Sequence, residues 1–168
     1  MGELTKIRLR TLVWLTLPVT VLVLIPCLIH RAIQHACVWH GGPWQWLGAW
    51  LLVNGVGLDA WCVNLFNVQG QGTPLPLDPP KRFIATGPYR CVRNPMMLGA
   101  LLIVGGEALA CESVALLLYL LVIMTLAHLF VRFREEPELI HRFGEPYREY
   151  QRQVPRWIPR LPGTQRKA

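Results

Sequence analysis

Apolar residues along this chain come in long runs, not in strand-like alternation. Residues 11–29, TLVWLTLPVTVLVLIPCLI, carry no charge and approach the roughly 20 apolar residues a helix needs to cross hydrocarbon. Lys6, Arg8 and Arg10 precede the run, which is also how a secretory signal begins. The run is long for a signal core and no small-x-small cleavage site follows, so we read an uncleaved first span. Pro18 and Pro26 are expected to kink it, as membrane helices tolerate. A second run extends from Trp44 to Phe66 with Asp59 as its only ionised group. Met96–Ala110 and Val114–Val131 follow, separated only by Cys111-Glu112-Ser113, which predicts a tight helical hairpin. The expected fold is all-α: an integral-membrane bundle of about four transmembrane helices in a single domain over 1–168. The spans fall near 11–30, 44–66, 96–110 and 114–131, with a loop at 67–95 and C-terminal amphipathic helices at 132–160.

The tail has its own periodicity. Leu139, Phe143, Tyr147, Tyr150 and Val154 recur at helical spacing, and Gly144 and Pro146 divide the stripe into two short helices. Arginines occupy the other faces. Such a helix either lies on a membrane surface or covers a site there; the plain alternative is a solvated charged tail.

Composition sharpens this picture. The chain is 52% hydrophobic and 16% charged, with a formal net charge of +7, against roughly 25% charged in soluble proteins. An ordinary soluble enzyme and a disordered tail are both disfavoured. Of the 17 basic residues, 3 precede the first span, 4 lie in 67–95 and 9 lie from Arg132 onward, leaving only Arg31 elsewhere. With four spans these three segments share one side, which the positive-inside rule makes cytoplasmic together with both termini. The charge is thus a topology signal and an attraction to anionic lipid. Nucleic acid is not an expected partner, because no zinc-finger spacing or basic-aromatic stripe accompanies it.

Several motifs are weaker than they look. Gly55-Val-Gly57-Leu-Asp-Ala60 fits a dinucleotide fingerprint, but it lies inside a span and lacks the strand-turn-helix setting those glycines serve; close helix packing accounts for small residues there. His30, His35 and His40 recur every five residues, which does not place them on one helical face, and no metal site is expected. Five cysteines without a Cys-x-x-Cys pair exclude a complete disulfide framework. Cys37 and Cys111 fall on the same outer side, within reach of pairing in an oxidising compartment. Trp39, Trp44 and Trp46 read as interfacial anchors. Glu107, an ionisable group within a span, is a functional suspect by default, although it lies near the outer end of its helix.

Two polar segments carry the candidate chemistry. Residues 70–99, GQGTPLPLDPPKRFIATGPYRCVRNPMMLG, are too rich in proline and glycine for a long helix before Asn94. Pro95 suits the first turn of the third span. Lys81, Arg82, Arg90 and Arg93 are cations for a carboxylate or phosphate, or else simple topology markers. Beyond the fourth span, Arg132-Phe133-Arg134-Glu135-Glu136-Pro137-Glu138 sets adjacent carboxylates against an anionic surface. They either pair with nearby arginines or bind a cationic or hydroxyl-rich ligand. Both segments sit at the same end of the last hairpin, so the topology brings them together.

Gly87-Pro88-Tyr89, Arg93-Asn94-Pro95 with Gly99, Glu135-Glu136, and Phe143-Gly144-Glu145-x-Tyr147-x-x-Tyr150 followed by Val154-Pro155 together resemble the isoprenylcysteine carboxyl methyltransferase and phospholipid methyltransferase superfamily. The resemblance covers roughly 70–160. It implies a membrane enzyme that holds S-adenosyl-L-methionine in a cytoplasm-facing pocket between the last spans and the C-terminal helices. Carried over residue by residue, it implies cofactor contacts from Lys81, Arg82, Phe83, Ile84, Tyr89, Asn94, Pro95, Met96, Met97, Glu135 and Glu136. Arg93, Arg132 and Arg134 are implied as the catalytic, substrate-facing arginines. The family's usual histidine is Asn94 here and its usual tyrosine is Met97, which removes a hydroxyl and an aromatic face.

The residue types suit that chemistry. A sulfonium is an activated methyl donor, so alignment with a nucleophile is the main task, worth ~7–11 kcal/mol. The expected function is methylation of a lipophilic or lipid-linked acceptor, an isoprenylcysteine-type carboxylate or thiol first. Phospholipid N-methylation is the second reading, and a non-catalytic adaptor whose tail binds anionic lipid is the third. The expected partners are membrane lipids and a lipophilic or lipid-modified substrate. An amine acceptor needs to lose a proton, and His128, near the end of the fourth span, is expected to be packed.

Overall fold

The computed structural model describes residues 17–33, 37–70 and 84–160. Helix α1 runs Leu17–Ile33, α2 Pro43–Leu65, α3 Pro95–Ala110, α4 Val114–Phe130, α5 Glu136–Phe143 and α6 Glu145–Gln153. No strand occurs among the described residues. Among the described residues, two helices are long and apolar enough to cross a membrane: α2, and the 30-residue stretch Val114–Phe143 in which α4 continues into α5. Leu117, Leu118, Leu121, Val122 and Leu126 of α4 are exposed, and an apolar surface of that extent calls for apolar surroundings. Of the other two runs, the described residues form the shorter apolar helices Leu17–Ile33 and Pro95–Ala110; the start of the predicted first span, residues 11–16, lies outside the described residues. Helix α3 has 16 residues, about 24 Å at 1.5 Å per residue, and falls short of a ~30 Å hydrocarbon core.

The sequence explains the local breaks. A wide π-type turn, Thr20–Leu24, sits just ahead of Pro26 in α1. Proline removes one helical hydrogen bond and crowds the preceding turn, and a widened turn relieves that crowding. The α3–α4 hairpin closes as the three-residue break predicts: the Ser113 Oγ caps α4 by accepting from the Leu116 N–H at 3.4 Å. The tail divides where expected, with Gly144 at φ +63° between α5 and α6, a backbone shape other residues rarely adopt.

Helices α2 and α3 lie antiparallel and touch backbone to backbone at two levels. A methyl group on Gly48 would come within 2.6 Å of the Gly106 carbonyl oxygen, and one on Gly55 within 2.7 Å of the Gly99 carbonyl oxygen. Both partners repeat at seven residues, so the contact follows one face of each helix. Gly57 has open space around it and takes no part. On the other flank, the Tyr119 hydroxyl of α4 donates to the Val21 carbonyl of α1 at 2.8 Å.

This asymmetry is testable. Gly55→Ala is expected to lower the midpoint of thermal unfolding in detergent, at a cost of about 1–3 kcal/mol for overpacking. Gly57→Ala is expected to leave the midpoint unchanged or raise it slightly, since alanine favours helix.

Candidate functional site

Two stretches far apart in sequence are laced together at the Asn94 end of α3. The loop before α3 contains a tight turn at Gly87–Arg90, and the chain after α6 lies along it. The Arg93 N–H donates to the Pro155 carbonyl at 2.9 Å and the Arg160 N–H to the Cys91 carbonyl at 3.0 Å. The Asn94 side-chain amide reaches the Arg156 carbonyl at 3.3 Å. The Tyr150 hydroxyl donates to the Tyr89 carbonyl at 2.6 Å. The tail stripe supplies the apolar part of this contact: Tyr147, Tyr150 and Val154 form a buried cluster with Ala85, Leu139, Ile140 and Phe143 around it. The stripe therefore turns inward, onto the loop.

At the centre stands Glu136, the first residue of α5, with 6% of its surface exposed. Arg156 grips it through two parallel bonds, Nε to Oε1 at 2.9 Å and a terminal nitrogen to Oε2 at 2.7 Å. Arg93 adds a third contact to Oε1 at 2.8 Å. Bidentate pairing of this kind is both strong and directional. It also leaves a remainder, because the Arg93 Nε is buried without a hydrogen-bond partner among the described residues.

The neighbouring carboxyl is placed differently. Glu135 closes the wide turn Val131–Glu135 that joins α4 to α5, and neither arginine of the clamp bonds to it. Burial, with the charges of Glu136 and Glu138 adding to it, pushes its pKa up to about 7. Its charge is felt at the Tyr89 phenol, which burial and the neighbouring Cys62 hold well above the usual tyrosine range. That phenol is hydrogen-bonded to the Cys62 thiol of α2, and its ring meets Phe66 edge-on at 5.8 Å. Tyr89 is thereby fixed between α2 and the acidic pair.

The sequence-predicted residues distribute as follows. Ile84, Asn94 and Pro95 are buried, while Tyr89, Arg93, Met96 and Met97 are partly buried; all seven lie on the loop or in the first turn of α3, and of them Arg93 pairs with Glu136 and Tyr89 feels the charge of Glu135. Arg132 and Arg134 are exposed on the wide turn, Arg132 lying over the Phe133 ring at 5.4 Å, and they join no part of the clamp. Lys81, Arg82 and Phe83 lie outside the described residues. Sequence reasoning missed Arg156. Its signal was indirect: a buried carboxylate facing one arginine needs further donors, and Arg156 directly follows the Val154-Pro155 that ends the tail helix. It also missed that His128 Nδ1 accepts from the Trp157 indole N–H at 3.0 Å, which ties the end of α4 to the tail and fits the expectation of a packed histidine.

Removing one partner from a buried ion pair typically costs about 3–5 kcal/mol. Glu136→Gln is therefore expected to lower unfolding stability in detergent by an amount of that order. Glu135→Gln, which breaks no ion pair, is expected to stay within about 1 kcal/mol of the parent.

The family model described as PEMT, phospholipid methyltransferase, matches residues 44–146. The match runs from α2 into the start of α6, taking in the loop, Arg93 and the acidic pair but stopping short of Arg156. No curated protein and no solved structure matches the chain. On the extent of the family match, the chain belongs to the phospholipid methyltransferase family and is a membrane methyltransferase.

Proposed function

We propose that the chain transfers a methyl group from S-adenosyl-L-methionine to a lipophilic acceptor that approaches through the bilayer. The observation that carries this reading is the meeting of the Ile84–Met97 segment with Glu135 and Glu136 at one end of an apolar helical bundle. We read that bundle as four spans, with this end and both termini on the cytoplasmic side. A soluble cofactor and a membrane-bound acceptor then reach one place by different routes.

The donor set fits such a cofactor. The Arg93 Nε is a buried donor without a partner among the described residues, suited to a carboxylate. Glu135, free of the clamp, is an acceptor for ribose hydroxyls or an amino group. Tyr89, Asn94, Met96 and Met97 are the remaining contacts, with Met97 offering an apolar thioether where relatives carry a tyrosine. When bound, the cofactor supplies a methyl group already activated on a positively charged sulfur. What the chain's own residues contribute is placement: the clamp on Glu136 holds Arg93 and the tail rigid, and alignment of that kind accounts for ~7–11 kcal/mol of a barrier.

On the acceptor side, Arg132 and Arg134 stand exposed just past the apolar part of α4, where a lipid-linked anion would lie. The phosphate of a phospholipid and the carboxylate of a prenylcysteine are both anions of that kind. The family description favours a phospholipid amine as the methylated group. The pair of arginines is equally suited to a prenylcysteine carboxylate, which needs no proton removed.

Calorimetric titration of S-adenosylhomocysteine into the detergent-solubilised chain is expected to show one site, weakened at least tenfold by Glu135→Gln. An absence of binding to folded parent protein, or no effect of that substitution, contradicts the reading and favours a lipid-binding adaptor. With labelled cofactor, a stable methylamine identifies the phospholipid acceptor and a base-labile ester the carboxylate.

The pKa of about 7 at Glu135 sets a pH dependence. The group binds as an ionised acceptor, so its contribution is present above pH 7 and is lost as pH falls through that value. Between pH 8 and pH 6 the ionised fraction falls roughly tenfold. The affinity for S-adenosylhomocysteine is expected to fall with it, and Glu135→Gln is expected to flatten the profile.

A further inference from the structure

The opposite end of the bundle holds a second group of reactive side chains, which the methyl-transfer reading leaves unused. Helix α3 carries it about 24 Å from the acidic clamp. His30 in the last turn of α1, Cys37 in the following loop and Cys111 in the α3–α4 turn place a donor atom each within 4.8 Å of the other two. All three cysteines in the neighbourhood, Cys27, Cys37 and Cys111, are free thiols.

His30 makes this group unusual. The residue is only 9% exposed, and both ring nitrogens are buried without a hydrogen-bond partner among the described residues. A neutral imidazole always carries one N–H donor and one lone pair, and buried polar atoms are almost always satisfied. A packed structural histidine would have at least one nitrogen bonded. The loop that presents Cys37 is in turn held firmly. Gln45 of α2, 1% exposed, accepts from the His40 and Gly42 N–H groups and donates to the Val38 carbonyl at 2.8 Å. The Cys37 thiol itself points at the Ala110 carbonyl, 3.7 Å away.

We propose that His30, Cys37 and Cys111 form a binding site for a zinc ion. Two thiols and an imidazole are the ligand types that zinc takes in tetrahedral sites, with bonds of about 2.3 Å to sulfur and 2.0–2.1 Å to nitrogen. Those lengths set donor atoms about 3.5–3.8 Å apart, so closure needs a contraction of about 1 Å within a braced loop. On binding, the two thiols release their protons to solvent and form two sulfur–zinc bonds, and a ring nitrogen of His30 gives its lone pair. No electrons are transferred. The two thiolates neutralise the ion, which suits an apolar end of the bundle. Glu107, which acts electrostatically on Cys111, lies outside the group of three donors, so the remaining position is one for water.

The site is tested on the full chain in detergent, reduced beforehand, titrated with zinc against a chromophoric chelator. One zinc per chain is expected, and bound zinc is expected to shield Cys37 and Cys111, but not Cys91, from alkylation read by mass spectrometry. Cobalt in place of zinc is expected to give thiolate charge-transfer absorption. His30→Gln, Cys37→Ser and Cys111→Ser are each expected to weaken binding at least tenfold, and Cys91→Ser to leave it unchanged. The proposal is overturned by less than stoichiometric zinc, by equal alkylation of all three cysteines, or by a Cys37–Cys111 disulfide whose reduction restores no zinc uptake. The alkylation and cobalt readouts use the parent chain, so they stand even where a variant fails to fold.

Discussion

A carboxylate with 6% exposure cannot stay charged in an apolar bundle without donors on nearly every side, and Glu136 finds them on two remote segments. Arg93 comes from the loop before α3 and Arg156 from the chain after α6, so one buried charge draws both onto the start of α5. Desolvating the three groups is costly, and complete pairing offsets that cost only when all partners are present. The interaction is therefore a constraint on geometry more than a source of net stability. The backbone bonds from Arg93 to Pro155 and from Arg160 to Cys91 follow from the same docking.

That constraint also separates two adjacent acids. Successive residues on a helix point about 100° apart, so a clamp that claims Glu136 leaves Glu135 facing elsewhere. Burial then acts on Glu135 without compensating cations, and its pKa rises towards neutrality. Perturbed acids of this kind concentrate at functional sites. The wide turn at Val131–Glu135 lies where this division is made, at the junction between an apolar helix and its polar continuation.

Much of this was legible in the amino-acid pattern, and the reasons are local. The tail stripe from Leu139 to Val154 survived as a buried cluster because helical periodicity reports one face directly. Gly144 marked the break between α5 and α6, and Cys111-Glu112-Ser113 left room only for a tight hairpin. Less local features were hidden. Nothing near Gly48 or Gly106 shows that they meet, since register between two helices depends on both. The resemblance grouped Glu135 and Glu136 as like residues, whereas the fold gives them opposite electrostatic environments. The five-residue spacing of the histidines gave no shared helical face and no metal site, and only the fold brings His30 beside Cys37 and Cys111.

The two ends of the bundle thus differ in character: charged and clamped at one, rich in thiol and imidazole at the other, joined by the glycine contact between α2 and α3. The claim most exposed to test is that Glu136 and Arg156 act as one unit. A double-mutant cycle on unfolding free energy, with Glu136→Gln, Arg156→Gln and the pair together, measures this coupling directly. The account predicts an interaction energy of about 2–3 kcal/mol, the double variant being little worse than either single one. Additive losses would mean that the tail is held by other contacts and that the site built on this clamp is wrong.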